Sequence, residues 1–248
     1  MSGSRRRPSS QRWLTEHFAD PYVREAHRRG LRSRSGFKLE EIQRRDRVLA
    51  PGMVVVDLGA APGGWSAFAA AQVGRGGRVY ALDRLDMAPL SGVEFLRGDF
   101  REEAVMERLC AALPQRGADV LLSDMAPNLS GTPAIDQPRA MLLSELALEL
   151  GGRVLRRGGA MVVKVFTGSG SQEFLARLKQ EFAHVRVRKP QASRGSSREV
   201  YMVATGFRPA AGGQPPAAEI VTAAGMAPGP AAAAAGGVVT DMSAAGSR

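Results

Sequence analysis

Four charged residues stand where a folded chain must either avoid them or use them. Lys164 interrupts the apolar run Val162-Val163-Lys164-Val165-Phe166, and an ammonium inside such a run is costly without partners or a task. Asp124 follows Val120-Leu121-Leu122-Ser123, Glu199 opens Glu199-Val200-Tyr201, and Lys38 lies in Gly36-Phe37-Lys38-Leu39. Two amines and two carboxylates can take the proton of a hydroxyl and hold the nucleophile that results, without a metal. A free lysine titrates near pH ~10.4 and is a poor base at neutrality. Burial and a second cation lower that value. Lys164 is therefore assigned as the base and Lys38 as the neighbouring cation that lowers it. Asp124 and Glu199 orient the ammonium and the hydroxyl, although their charges oppose the shift. The competing reading makes Lys164 half of a structural ion pair and Lys38 a surface lysine with its stem on apolar neighbours.

A second set surrounds a glycine turn. Val54-Val55-Val56-Asp57-Leu58 runs into Gly59-Ala60-Ala61-Pro62-Gly63-Gly64-Trp65. Such a turn at the end of the first strand is where doubly wound sheets bind nucleotides, because residues without Cβ let the backbone approach a ligand. The spacing is not GxGxxG, so no pyrophosphate cradle is expected. A ligand with an amino acid and a sulfonium suits the loop better. Asp83 ends the next strand and is placed to accept the ribose hydroxyls of an adenosine. Asp99, in Gly98-Asp99-Phe100, is placed to accept an adenine amino group while Phe100 packs on the ring. Each acid alone reads equally well as a helix cap. Three at successive strand ends, with Asp124, read together as a ligand site.

These residues need a scaffold. Val54–Leu58, Val79–Asp83, Val93–Leu96, Val120–Asp124, Met161–Phe166, Val185–Val187 and Val200–Thr205 read as strands. Several are apolar on both faces, as buried parallel strands are. Phe174, Leu178 and Phe182 repeat at helical spacing, as do Leu142, Leu146 and Leu150, and both stripes read as core. The expectation is one α/β domain of Rossmann-like type, a seven-stranded, mostly parallel sheet with helices on both faces. No clear helix separates Phe182 from Tyr201, which predicts a hairpin and an antiparallel last strand. Residues 1–10 read as a disordered basic arm, 11–208 as the domain, and 209–248 as a disordered Ala/Gly/Pro-rich tail.

The 248 residues carry a net charge of +10, which points to a polyanion partner. Residues 1–50 hold 13 lysines and arginines against 6 acids, and residues 177–199 hold 7 against 2. Arg28, Arg29, Arg32, Arg34, Arg194 and Arg198 are the candidate phosphate contacts. Aromatics are only 6 % of the chain, which disfavours broad base stacking. Cys110 is the one cysteine, and His17, His27 and His184 are scattered. That excludes an internal disulfide and argues against a zinc site or a Ser-His-Asp hydrolase. No secretory signal or membrane span is expected, and a reducing cytoplasm is the expected location.

The runs DLGAAPGGWS (57–66), SDMAPNLSGTP (123–133), VVKVF (162–166), RKPQASRGSSREVY (188–201) and RSRSGFKLEEI (32–42) carry a resemblance. Over roughly residues 9–208 the chain resembles the FtsJ-like RNA 2′-O-methyltransferases, most nearly the bacterial heat-shock branch that modifies large-subunit ribosomal RNA. The resemblance implies S-adenosylmethionine as cofactor, with contacts at Gly63, Trp65, Asp83, Asp99 and Asp124. It implies a catalytic tetrad of Lys38, Asp124, Lys164 and Glu199, the set reached above. It also implies a substrate, a uridine in the A-loop of 23S ribosomal RNA in the large subunit. A monomer without metal is expected. Methylation of transfer RNA or another RNA, and an assembly factor that binds ribosomal RNA, are the alternatives. A nicotinamide dehydrogenase is disfavoured by the glycine spacing.

Overall fold

The computed structural model describes residues 20–209, Ser196 excepted. The expected basic arm, the expected tail beyond Pro209 and residues 11–19 of the expected domain lie outside the described residues. The described helices are α1 (Pro21–Arg28), α2 (Gly36–Asp46), α3 (Gly64–Val73), α4 (Glu103–Ala112), α5 (Pro133–Val154) and α6 (Ser171–Glu181). The strands are β1 (Val54–Leu58), β2 (Arg78–Asp83), β3 (Val93–Arg97), β4 (Ala118–Ser123), β5 (Leu155–Phe166), β6 (Phe182–Arg188) and β7 (Glu199–Phe207).

The strands form one sheet in the order β3-β2-β1-β4-β5-β7-β6. The pairs β1–β2, β1–β4, β2–β3 and β4–β5 are parallel, and β7 runs against both β5 and β6. The expected seven-stranded, Rossmann-like sheet with an antiparallel last strand is therefore the observed one. Period-two alternation sends Val54, Val56 and Leu58 to one face, with α4, α5 and α6, and Val55 to the other, with α2 and α3. Strand order reverses between β1 and β4, and a crevice opens beyond the carboxyl ends of the strands there.

Three local expectations need correction. The helical stripe Phe174, Leu178, Phe182 is cut short, because α6 ends at Glu181 and Phe182 begins β6, still buried. The stripe Leu142, Leu146, Leu150 is core only at Leu150, which is buried, while Leu146 is half-buried. Met141, Ser144, Ala147, Leu148 and Gly151 face the sheet, and Leu142 is 51 % exposed. Leucine spacing alone misses a face built of small residues. Finally, β5 begins at Leu155 rather than Met161, with a register shift between Ala118–Leu155 and Val120–Ala160. Arg156 and Arg157 with Gly158 and Gly159 hide this start from an apolar-run reading. The Arg156 Nε donates to Asp119 Oδ1 at 2.5 Å, and the Val54 N–H donates to the other carboxylate oxygen at 2.7 Å.

Candidate active site

Strand alternation puts Lys164 on the side of the sheet that faces α2. Val163 and Val165 point to the opposite core, and Val162 shares the side of Lys164. On β7 the same rule sends Glu199 and Tyr201 towards α2, with Tyr201 directly opposite Lys164 in register. Lys38 meets them from the first turn of α2, and Asp124 from the end of β4. All four tetrad residues thus converge. Lys38 Nζ lies 2.7 Å from Glu199 Oε1, Lys164 Nζ lies 2.7 Å from Asp124 Oδ1, and Lys164 Nζ is 3.9 Å from Glu199 Oε2. Lys164 also donates to the Asp124 backbone carbonyl at 3.0 Å, and its own carbonyl accepts from Ser144 Oγ at 3.0 Å.

Lys38, Lys164 and Glu199 are 7–8 % exposed. Two cations against two anions make the cluster neutral, which offsets part of the cost of burying each charge. Burial lowers the Lys38 ammonium, and the charge of Lys164 lowers it further, against the pull of Asp124 and Glu199. Burial would raise the Glu199 carboxyl, but the charge and hydrogen bond of Lys38, with Lys164, hold it below the ordinary range.

Tyr201 is a member of this cluster that the sequence reading did not single out. It is fully buried, accepts a hydrogen bond from Lys38 Nζ at 3.0 Å and donates one to Asp124 Oδ1 at 2.6 Å. Burial, then the charges of Asp124 and Glu199, push its phenol well above its usual range, so it stays a neutral donor. The signal was available, since a residue two after Glu199 in a strand shares its face.

Two cavities meet at the cluster. One, of about 580 Å³, is lined by Lys38, Lys164 and Glu199 with Arg34, Arg194, Arg198, Leu129 and Phe166. The other, of about 710 Å³, is lined by Asp83, Asp99 and Asp124 with Arg84, Arg101, Arg139, Phe100 and Leu142. Ala126 lines both. The three predicted acids therefore share one cleft. Asp83 accepts the Ala61 and Leu85 N–H groups at 2.9 and 2.8 Å. Asp99 is gripped by Arg101, whose Nη2 and Nε lie 2.6 and 2.9 Å from its two oxygens. That hydrogen bonding holds its carboxyl below the usual range, over the opposing effect of burial.

Gly63 and Trp65 stand apart from that cleft. Trp65 is 2 % exposed, donates Nε1 to the Ser35 carbonyl at 2.8 Å and packs on Tyr201 with ring centroids 5.6 Å apart. Gly63 has φ +101°, and a Cβ there would lie 2.8 Å from Met87 Sδ and 3.1 Å from Arg32 Cδ. Its glycine is required by packing against those side chains.

A further buried acid went unnoticed in the sequence. Asp57, below the glycine turn, is 1 % exposed and accepts Ser66 Oγ at 2.5 Å. Burial pushes its carboxyl up to about 7, helped by the charges of Asp124 and Asp83 and opposed by Ser66.

The candidate arginines separate. Arg34, Arg194 and Arg198 line the cavity beside the lysines. Arg28 pairs with Glu25 and Arg29 with Glu40. Arg32 turns away: its guanidinium donates to the carbonyls of Pro62, Ala88 and Pro89 at 3.3, 2.7 and 2.8 Å.

A mostly parallel sheet that changes winding direction beside two clefts, joined at a buried amine–carboxylate cluster, is a Rossmann-like fold with a candidate active site at its strand ends. The FtsJ-like methyltransferase family matches residues 31–207, and the chain belongs to that family. Among solved structures it is similar to a ribosomal RNA methyltransferase from Plasmodium falciparum, at 25 % identity and a TM-score of 0.65 over 71 % of this chain and 98 % of that one. It also matches an rRNA methylase from Clostridium thermocellum at 17 % identity and a TM-score of 0.46, over 68 % of this chain and 95 % of that one.

Proposed function

We propose that this methyltransferase methylates a ribose 2′-hydroxyl in RNA with S-adenosylmethionine as donor. The observation that carries the proposal is the junction, where a cleft holding the strand-end acids Asp83, Asp99 and Asp124 meets a cleft holding Lys38, Lys164 and Glu199. The likeness to a ribosomal RNA methyltransferase supports an RNA acceptor.

The acid-lined cleft fits the donor. The Gly59 and Ala60 N–H groups bond the Leu82 carbonyl, Ala61 bonds Asp83, Gly63 bonds the Ala60 carbonyl, and Pro62 has no N–H. Between Gly59 and Gly63 the turn therefore spends its N–H groups inside the protein. What it presents are carboxylates and apolar walls, suited to hydroxyls, an amino group and an uncharged ring. Asp83 and Asp99 would hold the adenosine, and Asp124 lies where that cleft reaches the lysines. When bound, the cofactor supplies an electrophilic methyl group on sulfur.

The protein's own residues prepare the acceptor. Arg34, Arg194 and Arg198 bind phosphates beside the target ribose. Lys164, lining the acceptor cleft beside Asp124, takes the 2′-hydroxyl proton from its neutral amine form and becomes the ammonium that pairs with Asp124. Asp124 and Glu199 keep the amine aimed, and Lys38 balances the charge of Glu199. The resemblance of the quoted motifs to the bacterial large-subunit branch supports an A-loop uridine of 23S ribosomal RNA as the proposed target, with the cytoplasm as the proposed place of action. The test is transfer of labelled methyl to large subunits lacking the modification, beside free ribosomal and transfer RNA. Label on one A-loop ribose supports the target. Label on another RNA keeps the chemistry and removes the target.

A further inference from the structure

The tetrad as four residues leaves a gap. Glu199 joins Lys38 to Lys164, and Lys164 joins Asp124, but among the described hydrogen bonds and ion pairs none joins Lys38 directly to Asp124. Tyr201 closes that gap. The cluster then becomes a ring of five groups: Lys38 to Tyr201 at 3.0 Å, Tyr201 to Asp124 at 2.6 Å, Asp124 to Lys164 at 2.7 Å, Lys164 to Glu199 at 3.9 Å, and Glu199 to Lys38 at 2.7 Å. We propose that Tyr201 is a positioning residue of the reaction, whose hydroxyl ties the α2 lysine to Asp124 and so fixes the carboxylate that aims Lys164. This rests on the reading of the tetrad given under Proposed function.

The hydroxyl has one hydrogen, and the short contact to Asp124 commits it there. Its oxygen is then left as an acceptor, and Lys38 is the donor that fills it. A neutral phenol in this place passes orientation from one ion pair to the other without taking up charge itself. Its own position is over-determined. The Tyr201 backbone is in register with Lys164, and its ring packs on Trp65, which is pinned to Ser35 at the entry to α2. Removing the oxygen leaves this packing in place and opens the ring of polar contacts at one point. Asp124 then keeps Lys164 but loses the donor that fixes its carboxylate plane.

The test is Tyr201→Phe, studied as the full chain. Loss of a hydrogen bond to a charged group at the reacting centre is expected to lower kcat about ten- to a hundredfold. KM for S-adenosylmethionine and RNA should hold, because Tyr201 is fully buried and lines neither cavity. The thermal midpoint should drop only by the few degrees that one lost buried hydrogen bond costs. The pH–rate profile should shift, and the Lys38 resonance in a lysine-labelled NMR titration should move to lower pH, since its ammonium loses an acceptor. Unchanged kcat, pH profile and Lys38 titration would overturn the proposal and leave Tyr201 a packing residue. If Tyr201→Phe does not fold, 3-fluorotyrosine keeps the hydroxyl and makes it more acidic. It enters at only three positions, the chain's 3 tyrosines, and must likewise displace the Lys38 titration. The titration is read without turnover. It therefore still decides the role of Tyr201 if wild-type protein transfers no methyl group to RNA, an outcome that removes the proposed function instead.

Discussion

Arg32 and Arg34 stand two residues apart in one basic segment and do different work. Arg34 faces the acceptor cleft, where it bonds Asp20 and the Ala192 carbonyl. Arg32 bolts the same segment to the glycine turn and to the loop after β2 through three backbone carbonyls. Arg32→Ala should therefore weaken S-adenosylmethionine binding about tenfold by calorimetry, the scale of one or two lost charged hydrogen bonds. RNA affinity and its salt dependence should stay near wild type, whereas Arg198→Ala should lower both. The reverse pattern would make Arg32 a phosphate contact. Asp57 gives a second prediction, on stability. Its folded carboxyl sits at about 7 against an ordinary 3.8, so the folded state holds its proton over that interval and the unfolded state does not. Stability must then fall as pH rises from about 4 through 7. Asp57→Asn cannot ionise, so its urea midpoint relative to wild type should climb between pH 4 and pH 8. A difference that stays constant across that range would show that Asp57 is not held protonated.

Elements decide which parts of a residue pattern can be read in advance. The strand ends carrying Asp83, Asp99 and Asp124 were legible because parallel strands bury both faces and end abruptly at polar turns. The convergence of Lys38, Lys164 and Glu199 was legible because a charge inside an apolar run needs a partner. Less visible was anything that depends on which face an element turns inward. Helix α5 packs on the sheet through Ser144, Ala147 and Gly151, so its leucine stripe is core only at Leu150. Trp65 sits in the glycine motif, yet the turn of α3 carries its ring away from the cleft and onto Tyr201. Arg32 looked like a phosphate ligand because charge does not tell where a long side chain ends. The corrected face of α5 is itself testable. Leu148→Ala should cost ~2–5 kcal/mol in urea unfolding. Leu142→Ser should cost little stability and instead weaken S-adenosylmethionine binding, because Leu142 lines the donor cleft. Equal destabilisation by both would restore the leucine stripe as core.

At the scale of the whole molecule, the sheet's change of winding direction creates one crevice, and the chain divides it by chemistry. The strand-end acids Asp83, Asp99 and Asp124 line the side beyond β1, β2 and β3, and Lys38, Lys164 and Glu199 line the side reached from α2 and β7. The buried cluster joins the two sides, through Asp124 on one and the two lysines and Glu199 on the other. A net charge of +10 strengthens attraction to any polyanion but cannot choose one. Selection and chemistry must come from the junction. The most direct measurement is labelled methyl transfer from S-adenosylmethionine to large ribosomal subunits lacking the modification, with wild type and Lys164→Ala compared after both are shown to bind cofactor and subunits. The account predicts label on ribose with wild type and at least a thousandfold loss with Lys164→Ala at unchanged binding, on the order of 4 kcal/mol in the barrier. Transfer by the variant at close to the wild-type rate would contradict it and place the proton acceptor elsewhere.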